Sequence, residues 1–151
     1  MGNVTSTNEM LIRKPAADVF QAFVEPRILE SFWLKKSSGA LGNGAVGAWD
    51  FMVEGAHETV AVNAFSPHEL IGFTWSSGVQ VRIGFEERPG DITKVAITAT
   101  GFTGDDLLEQ VANTTEGFAI VLCDLKSLME TGQSGNMVRD KTILISERKN
   151  R

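Results

Sequence analysis

Few side chains in this sequence are of the types that bind metals or carry out nucleophilic catalysis. The histidines are His57 and His68, predicted to lie at the start of a strand and in a turn, and the single cysteine is Cys123. A zinc site needs several His, Cys or carboxylate ligands brought together, and these three residues do not have the spacing of such a set. The serines do not form a nucleophile-elbow pattern. The sequence therefore predicts no metal, no cofactor and no catalytic residue, although a Ser-His-Asp arrangement formed by the fold stays open.

The glycine-rich segment 39–47, "GALGNGAVG", resembles a phosphate-binding loop only superficially. It lacks the Gly-Lys-Ser/Thr ending of such a loop, and a predicted strand follows it where a helix would be needed. The net charge of −5 argues against nucleic acid as a partner, because a phosphate-binding face needs clustered lysine and arginine. We interpret these glycines as turn residues.

Large aromatic side chains form the clearer functional pattern. In "AWDFMVEG" (48–55) and "LIGFTWS" (70–76) the rings recur at every second residue, as on the inner face of a strand. Such rings either fill a core or line an apolar pocket, and the sequence leaves both open. The candidate ligand-binding residues are Phe32, Trp33, Trp49, Phe51, Phe73, Trp75, Phe85, Phe118 and Leu122. Polar candidates by type are Asp50, Glu54, His57, Asn63 and Arg82, of which Asp50 and Arg82 have the phase of solvent-facing residues.

The elements that would position these rings follow from spacing and turn residues. The segment 4–15 reads as a strand, Pro15 and Pro26 begin two short helices, and the segment from 45 to 100 alternates as four or five antiparallel strands. The last two of these strands form a hairpin around "RPGD" (88–91). The strands would then make a meander with one buried face.

The segment 114–132, "TTEGFAIVLCDLKSLMETG", predicts a long closing helix. Its apolar residues recur every three or four positions, so one face would pack on the sheet. Asn113 and Glu116 suggest a cap at its start, and Gly132 suggests its end. In this phase Asp124 points away from the apolar face.

The order of these elements resembles the helix-grip fold, an α+β fold in which a curved antiparallel sheet wraps around a long C-terminal helix, with two short helices after the first strand. The segments "IRKPAADVFQAFVEPRILESFW", "SPHELIGFTWS" and "TTEGFAIVLCDLKSLMETG" resemble the START-like SRPBCC superfamily, and within it the activator of Hsp90 ATPase homologues. The resemblance spans residues 4–132. One departure is Gly117–Phe118, where the family usually has Gly-Trp.

The resemblance implies a small hydrophobic ligand in a cavity between the sheet and the closing helix, without assigned catalysis. Two alternatives stay open. One is a protein-interaction module similar to the Hsp90 activator domain, and the other is an enzyme similar to the cyclases and aromatases of the superfamily. We expect binding in preference to catalysis, because the sequence offers no compelling acid or base.

Length and composition predict one domain, and the resemblance implies that it occupies 1–132, with a C-terminal extension at 133–151. The chain has 151 residues, 42% hydrophobic and 22% charged, which is an ordinary globular balance. The extension is interpreted as a basic tail or as an edge strand, "TILIS" (142–146), that could pair with a second copy. We expect no membrane span, because no apolar run approaches the roughly 20 residues needed to cross a bilayer, and a homodimer is possible. Since "MGNVTSTNEM" does not have the pattern of a secretory signal, we expect a cytoplasmic location, and the single cysteine, which cannot form an internal disulfide, agrees with it.

Overall fold

The rings and the closing helix are brought together by one antiparallel sheet of seven strands. The computed structural model describes residues 4–149. Its elements are β1 (Ser6–Ile12), α1 (Ala16–Ala22), α2 (Pro26–Phe32), β2 (Leu34–Ser37), β3 (Val46–Phe51), β4 (His57–Ser66), β5 (Leu70–Thr74), β6 (Gln80–Arg88), β7 (Ile92–Thr100), α3 (Leu107–Thr131) and α4 (Met137–Lys149). The curved sheet holds α3 against its inner face, so the predicted helix-grip fold is confirmed.

The sheet is a meander closed at one edge by the first strand. Its order is β1-β7-β6-β5-β4-β3-β2, and all neighbouring pairs are antiparallel. The predicted meander is therefore confirmed, with β2 as an additional strand. The edges of the sheet are β1 and β2.

The β6–β7 hairpin shows how alternation in the sequence becomes a buried face. The cross-strand pairs are Val81 with Ala99, Ile83 with Ile97 and Phe85 with Val95. All of these residues are buried, whereas their neighbours along the strands are exposed or half-buried. Since side chains alternate between the two faces of a strand, this register places these six apolar side chains on the inner side.

The two short helices close one end of the sheet. Pro15 is the N-cap of α1, and Pro26 is the first residue of α2, a position where its missing N–H costs no helical hydrogen bond. Phe20 and Phe23 from α1 and Leu29 from α2 are buried. The sequence prediction of two proline-started helices is confirmed.

The closing helix α3 is longer than predicted. It begins at Leu107 with Asp106 as N-cap, so the predicted cap at Asn113 and Glu116 is wrong. The apolar spacing continues upstream through Leu107 and Val111, which carries the helix across the polar residues at 113–115. Its predicted end is confirmed, because Gly132 takes the left-handed conformation (φ 84°) and its N–H donates to the carbonyl of Leu128. Among residues 4–149, no helix is both long enough and apolar enough to cross a membrane.

The extension forms a helix, and the edge-strand interpretation of "TILIS" is wrong. Residues 137–149 are α4, which packs on α3 and pairs with neither edge of the sheet. β-Branched residues such as Ile143 favour a strand locally, but contacts with α3 override that preference. The division of the chain at residue 132 stays a prediction, and residues 150 and 151 of the extension lie outside the described residues.

Candidate functional site

Aromatic rings from the helices and the sheet meet beneath the middle of α3. The rings of Trp33 and Trp49 are 4.9 Å apart between centroids and meet edge to face. Trp33 also contacts Phe118 of α3, at 6.0 Å. Phe118 stacks on Trp75, with centroids 5.8 Å apart and ring planes inclined by 16°. Edge-to-face and offset-stacked pairs are favourable ring arrangements, so these rings pack as one apolar cluster.

Part of the cluster borders an open space, which we name the aromatic pocket. It has a volume of about 140 Å³ and lies between α3, the end of α2, and the ends of β3 and β5. Its lining residues are Trp33, Phe51, Trp75, Thr114, Gly117, Phe118 and Val121.

A second apolar space adjoins the first, and we name it the α4 groove. It has a volume of about 250 Å³, and α4 forms its outer wall. Four residues line both spaces, namely Trp33, Phe51, Gly117 and Val121. The other lining residues of the groove are Met52, Val53, Ala56, Ile120, Val138, Lys141, Thr142 and Ile145. The extension therefore contributes directly to the candidate site.

The structure separates the nine predicted site residues into two groups. Four line the aromatic pocket, and these are Trp33, Phe51, Trp75 and Phe118. Five are buried in the core and line neither space, and these are Phe32, Trp49, Phe73, Phe85 and Leu122. Sequence reasoning missed Thr114, Gly117, Val121 and the wall from α4. A glycine inside a long helix was the signal that could have identified Gly117, since glycine weakens a helix unless space is needed there.

The polar groups of the aromatic pocket are uncharged. Its described lining contains the hydroxyl of Thr114 and the indole rings of Trp33 and Trp75, and no ionisable side chain. The polar candidates from the sequence lie elsewhere: Asp50, Glu54, His57, Asn63 and Arg82 are all exposed. The pocket as described can bind an apolar ring and form a hydrogen bond, but it offers no acid or base.

Gly117 lies where the two spaces join. A Cβ atom built on this residue would meet no atom within 4 Å, so the position opens onto free space. Glycine inside a helix costs roughly 0.5–1 kcal/mol relative to alanine. Gly117 therefore leaves room at the junction at the expense of helix stability.

A buried carboxylate holds α4 in place. Asp124 of α3 is 1% exposed because it faces the connection to α4, a burial that the sequence did not predict. It accepts hydrogen bonds from the Ser134 hydroxyl at 2.7 Å, the Gly135 N–H at 3.0 Å and the Val138 N–H at 3.2 Å. These bonds fix the connection between α3 and the first turn of α4, which explains how a buried acid is tolerated.

An ion pair joins the middle of α4 to α3. Lys141 Nζ lies 2.7 Å from Glu116 Oε1, and the two side chains are 25% and 56% exposed. The hydrogen bond from Lys141 and the positive charge of Lys141, followed by that of Arg148, lower the pKa of Glu116 below its ordinary value. Because the pair is largely solvated, it contributes no more than about 1 kcal/mol.

We expect acid to loosen α4. A carboxylate with a lowered pKa in the folded state stabilises that state fully above its unfolded pKa, about 4.3 for glutamate, and loses this contribution as pH falls through the lowered value. Amide hydrogen exchange of α4 should therefore increase relative to that of β6 when pH falls below about 4. The variant Glu116→Gln should remove this acid-dependent part.

The matched control is Glu130→Gln. The pKa of Glu130 is also lowered, by a hydrogen bond from Lys126 and by the backbone N–H of Arg13, but this carboxylate joins α3 to the end of β1. The control should leave the acid response of α4 intact. An unchanged acid response in Glu116→Gln would contradict the prediction.

Solved structures of similar fold cover most of the chain. Protein SSP2350 from Staphylococcus saprophyticus is 27% identical, with a TM-score of 0.77 over 87% of this chain and 95% of its own. The Aha1 dimer from Colwellia psychrerythraea, solved in solution, is 19% identical, with a TM-score of 0.75 over 87% and 99%. CalU16 from Micromonospora echinospora is 15% identical, with a TM-score of 0.68 over 97% and 94%. A match over 97% of this chain includes α4.

The sequence itself identifies the family. Among proteins with curated functions, none is significantly similar to this sequence. The family model described as "Activator of Hsp90 ATPase homolog 1-like protein" matches residues 13–130, from the end of β1 to the last turn of α3. This match spans most of the chain and includes every residue that lines the aromatic pocket. The protein therefore belongs to the activator of Hsp90 ATPase homolog 1-like family.

Proposed function

We propose that this protein binds a small hydrophobic ligand in the aromatic pocket, and that larger ligands extend from it into the α4 groove. The observation that carries the proposal is the pair of adjoining spaces, whose shared wall is made of Trp33, Phe51, Gly117 and Val121. Apolar spaces of this kind are the usual sites for small ligands.

The volumes set the size of the ligand. A cavity of about 150 Å³ lined by apolar side chains accommodates benzene, and drug-sized ligands occupy roughly 300–1,000 Å³. The aromatic pocket alone, at about 140 Å³, therefore suits one ring or a small fused pair. A ligand of three fused rings would need the α4 groove as well.

The uncharged lining supports binding in preference to catalysis. A cyclase or aromatase needs an acid or base within hydrogen-bonding reach of the substrate. The described residues around the aromatic pocket provide only a hydroxyl and two indole rings, and His57 is exposed. In the α4 groove the ionisable residue is Lys141, which is paired with Glu116.

Two further proposals concern where and in what form the protein acts. The single cysteine supports a reducing compartment, the cytoplasm, as its location. A second copy of the chain is a proposed partner, on the ground that the Colwellia psychrerythraea neighbour is a dimer.

The first test is native mass spectrometry of the protein purified from cells, together with a titration with tetralin, a neutral bicyclic hydrocarbon. We expect a small molecule that is retained under gentle conditions and lost on denaturation, and saturable binding of tetralin followed by ligand-observed NMR. A doubled mass in the same spectrum would support the dimer. A clean apo mass combined with no saturable binding would overturn the proposed function.

A further inference from the structure

A third space lies between α3 and α4, and we name it the basic cleft. It has a volume of about 470 Å³. Three of its lining residues, Gly117, Lys141 and Ile145, also line the α4 groove. Gly117 lines the aromatic pocket as well, and a Cβ atom built on it would meet no atom within 4 Å. Gly117 therefore borders all three spaces and leaves room where they meet.

Five ionisable side chains line the basic cleft. The cations are Lys141, Arg148 and Lys149 of α4, and the carboxylates are Glu109 and Glu116 of α3. Lys141 and Glu116 offset each other in the ion pair described above. Arg148 and Lys149 form no ion pair within residues 4–149. After the charge of Glu109 is counted, the cleft carries one positive charge in excess.

This excess is opposite in sign to the charge of the whole chain. The net charge of the protein is −5, whereas α4 contains four basic and two acidic residues. Basic residues in the last turn of a helix stabilise its C-terminus. That role explains a basic last turn, but it does not require the turn to line a cleft that shares its wall with an apolar groove.

An acidic group bound in the basic cleft would keep its contact with water. Arg148 and Lys149 are both exposed, so a carboxylate beside them would avoid much of the cost of burying a charge. The apolar part of the same ligand would lie in the α4 groove, whose lining is apolar apart from Lys141 and Thr142. The three spaces together therefore suit a molecule with an apolar body and one acidic end.

The size of the excess charge indicates the type of acidic group. A carboxylate carries one negative charge and accepts two parallel hydrogen bonds from an arginine side chain. A phosphate monoester carries a charge of about −1.5 to −2 at pH 7, which is more than the cleft offsets. A carboxylate is therefore the better match.

We infer that the larger ligands of this protein are amphipathic carboxylic acids, whose apolar body lies in the α4 groove and whose carboxylate binds Arg148 and Lys149 in the basic cleft. This inference rests on the proposed function and names the class of ligand for the same site. The helix α4 then supplies both the outer wall of the groove and the recognition of the acid.

The test compares acids with their own primary amides, which have the same shape without the charge. The ligands are phenyl-substituted alkanoic acids with two, four or six methylene groups, in ligand-observed NMR titrations at low ionic strength. For the chain length that binds best, the acid should bind the wild type about fivefold more tightly than its amide, as expected of an exposed ion pair of about 1 kcal/mol. Added salt should reduce this preference.

Charge variants locate the carboxylate. Arg148→Gln and Lys149→Gln should each reduce the preference for the acid, and the double variant should abolish it while the amide binds as before. Glu109→Gln removes a carboxylate from the cleft and should increase the preference, a gain that damage to the fold would not produce. The control Arg139→Gln removes the same charge from a residue of α4 that does not line the cleft, and should leave the preference unchanged.

The outcomes separate the two proposals. If tetralin or the amides bind the wild type but no acid binds more tightly than its amide, the inference is overturned and the proposed function stands. A preference that survives in the double variant, or that falls equally in Arg139→Gln, would also overturn the inference. If tetralin, the amides and the acids all fail to bind the wild type, both proposals are overturned.

Discussion

The variant Gly117→Leu should lose ligand binding on the order of 100-fold while the fold becomes no less stable. The new side chain would occupy the junction of the aromatic pocket and the α4 groove, where a Cβ meets nothing within 4 Å. Displacing three or four ligand carbons from apolar contact costs about 3 kcal/mol, which is roughly two powers of ten in affinity. Tetralin titration and thermal unfolding would measure the two effects.

The variant Gly117→Ala is the matched control for this prediction. Alanine and leucine both favour a helix over glycine by roughly 0.5–1 kcal/mol, so the two variants should gain similar stability. They differ in volume, and one methyl group should weaken binding only about fourfold. Full affinity in Gly117→Leu would show that the ligand binds elsewhere, and a marked loss of stability would show that the space at this position is not free.

Most of the fold could be predicted from the sequence because a buried face of a strand or helix requires apolar residues at a regular spacing. Buried residues alternate with more exposed ones along β7 and through Phe85 of β6, and the apolar stripe of α3 follows helical spacing. The start of α3 was mistaken because the polar residues Asn113, Thr114 and Thr115 look like a helix boundary. The apolar positions before them, Leu107 and Val111, belong to the same face.

The periodicity could not show which rings line the pocket. Trp49 and Phe51 share one face of β3, and Phe73 and Trp75 share one face at β5. Phe51 is the last residue of β3, and Trp75 follows the end of β5, so both lie at the rim of the sheet, whereas Trp49 and Phe73 lie two residues further inside and are buried. A ring at the end of its strand lines the pocket, and a ring two residues further inside belongs to the core. This difference depends on strand boundaries, which a single sequence predicts poorly.

The prediction of an edge strand in the extension was wrong for a different reason. Its β-branched residues carry the local signal of a strand, whereas the first turn of the helix donates hydrogen bonds to Asp124, 14 residues before Val138. Alternation and helical spacing identify faces within one element, and they do not reveal a hydrogen bond between two elements. The same long-range contact makes α4 a wall of the site, which is why the groove could not be predicted.

The variant Asp124→Ala should release α4 from α3. Removing the Asp124 carboxylate leaves the Ser134 hydroxyl and the N–H groups of Gly135 and Val138 without an acceptor. Hydrogen bonds to a carboxylate contribute about 1.5–3 kcal/mol each and are not fully additive, so we expect α4 to open about 3 kcal/mol more easily. Amide hydrogen exchange of α4, compared with that of β6, would measure this change.

The effect of Asp124→Ala on binding then distinguishes the two spaces. No residue of α4 is among the described residues that line the aromatic pocket, so tetralin should still bind, whereas a ligand of three fused rings should lose its contacts in the α4 groove.

The control Asp140→Ala removes an exposed acid from the first turn of α4 and should change the free energy of opening of α4 by less than about 0.5 kcal/mol. Undiminished protection of α4 in Asp124→Ala would mean that the contacts of Val138 and Lys141 hold the helix by themselves. In that case the wall of the groove would depend on packing and the surface ion pair, and would open with acid and salt as the Glu116 pair weakens.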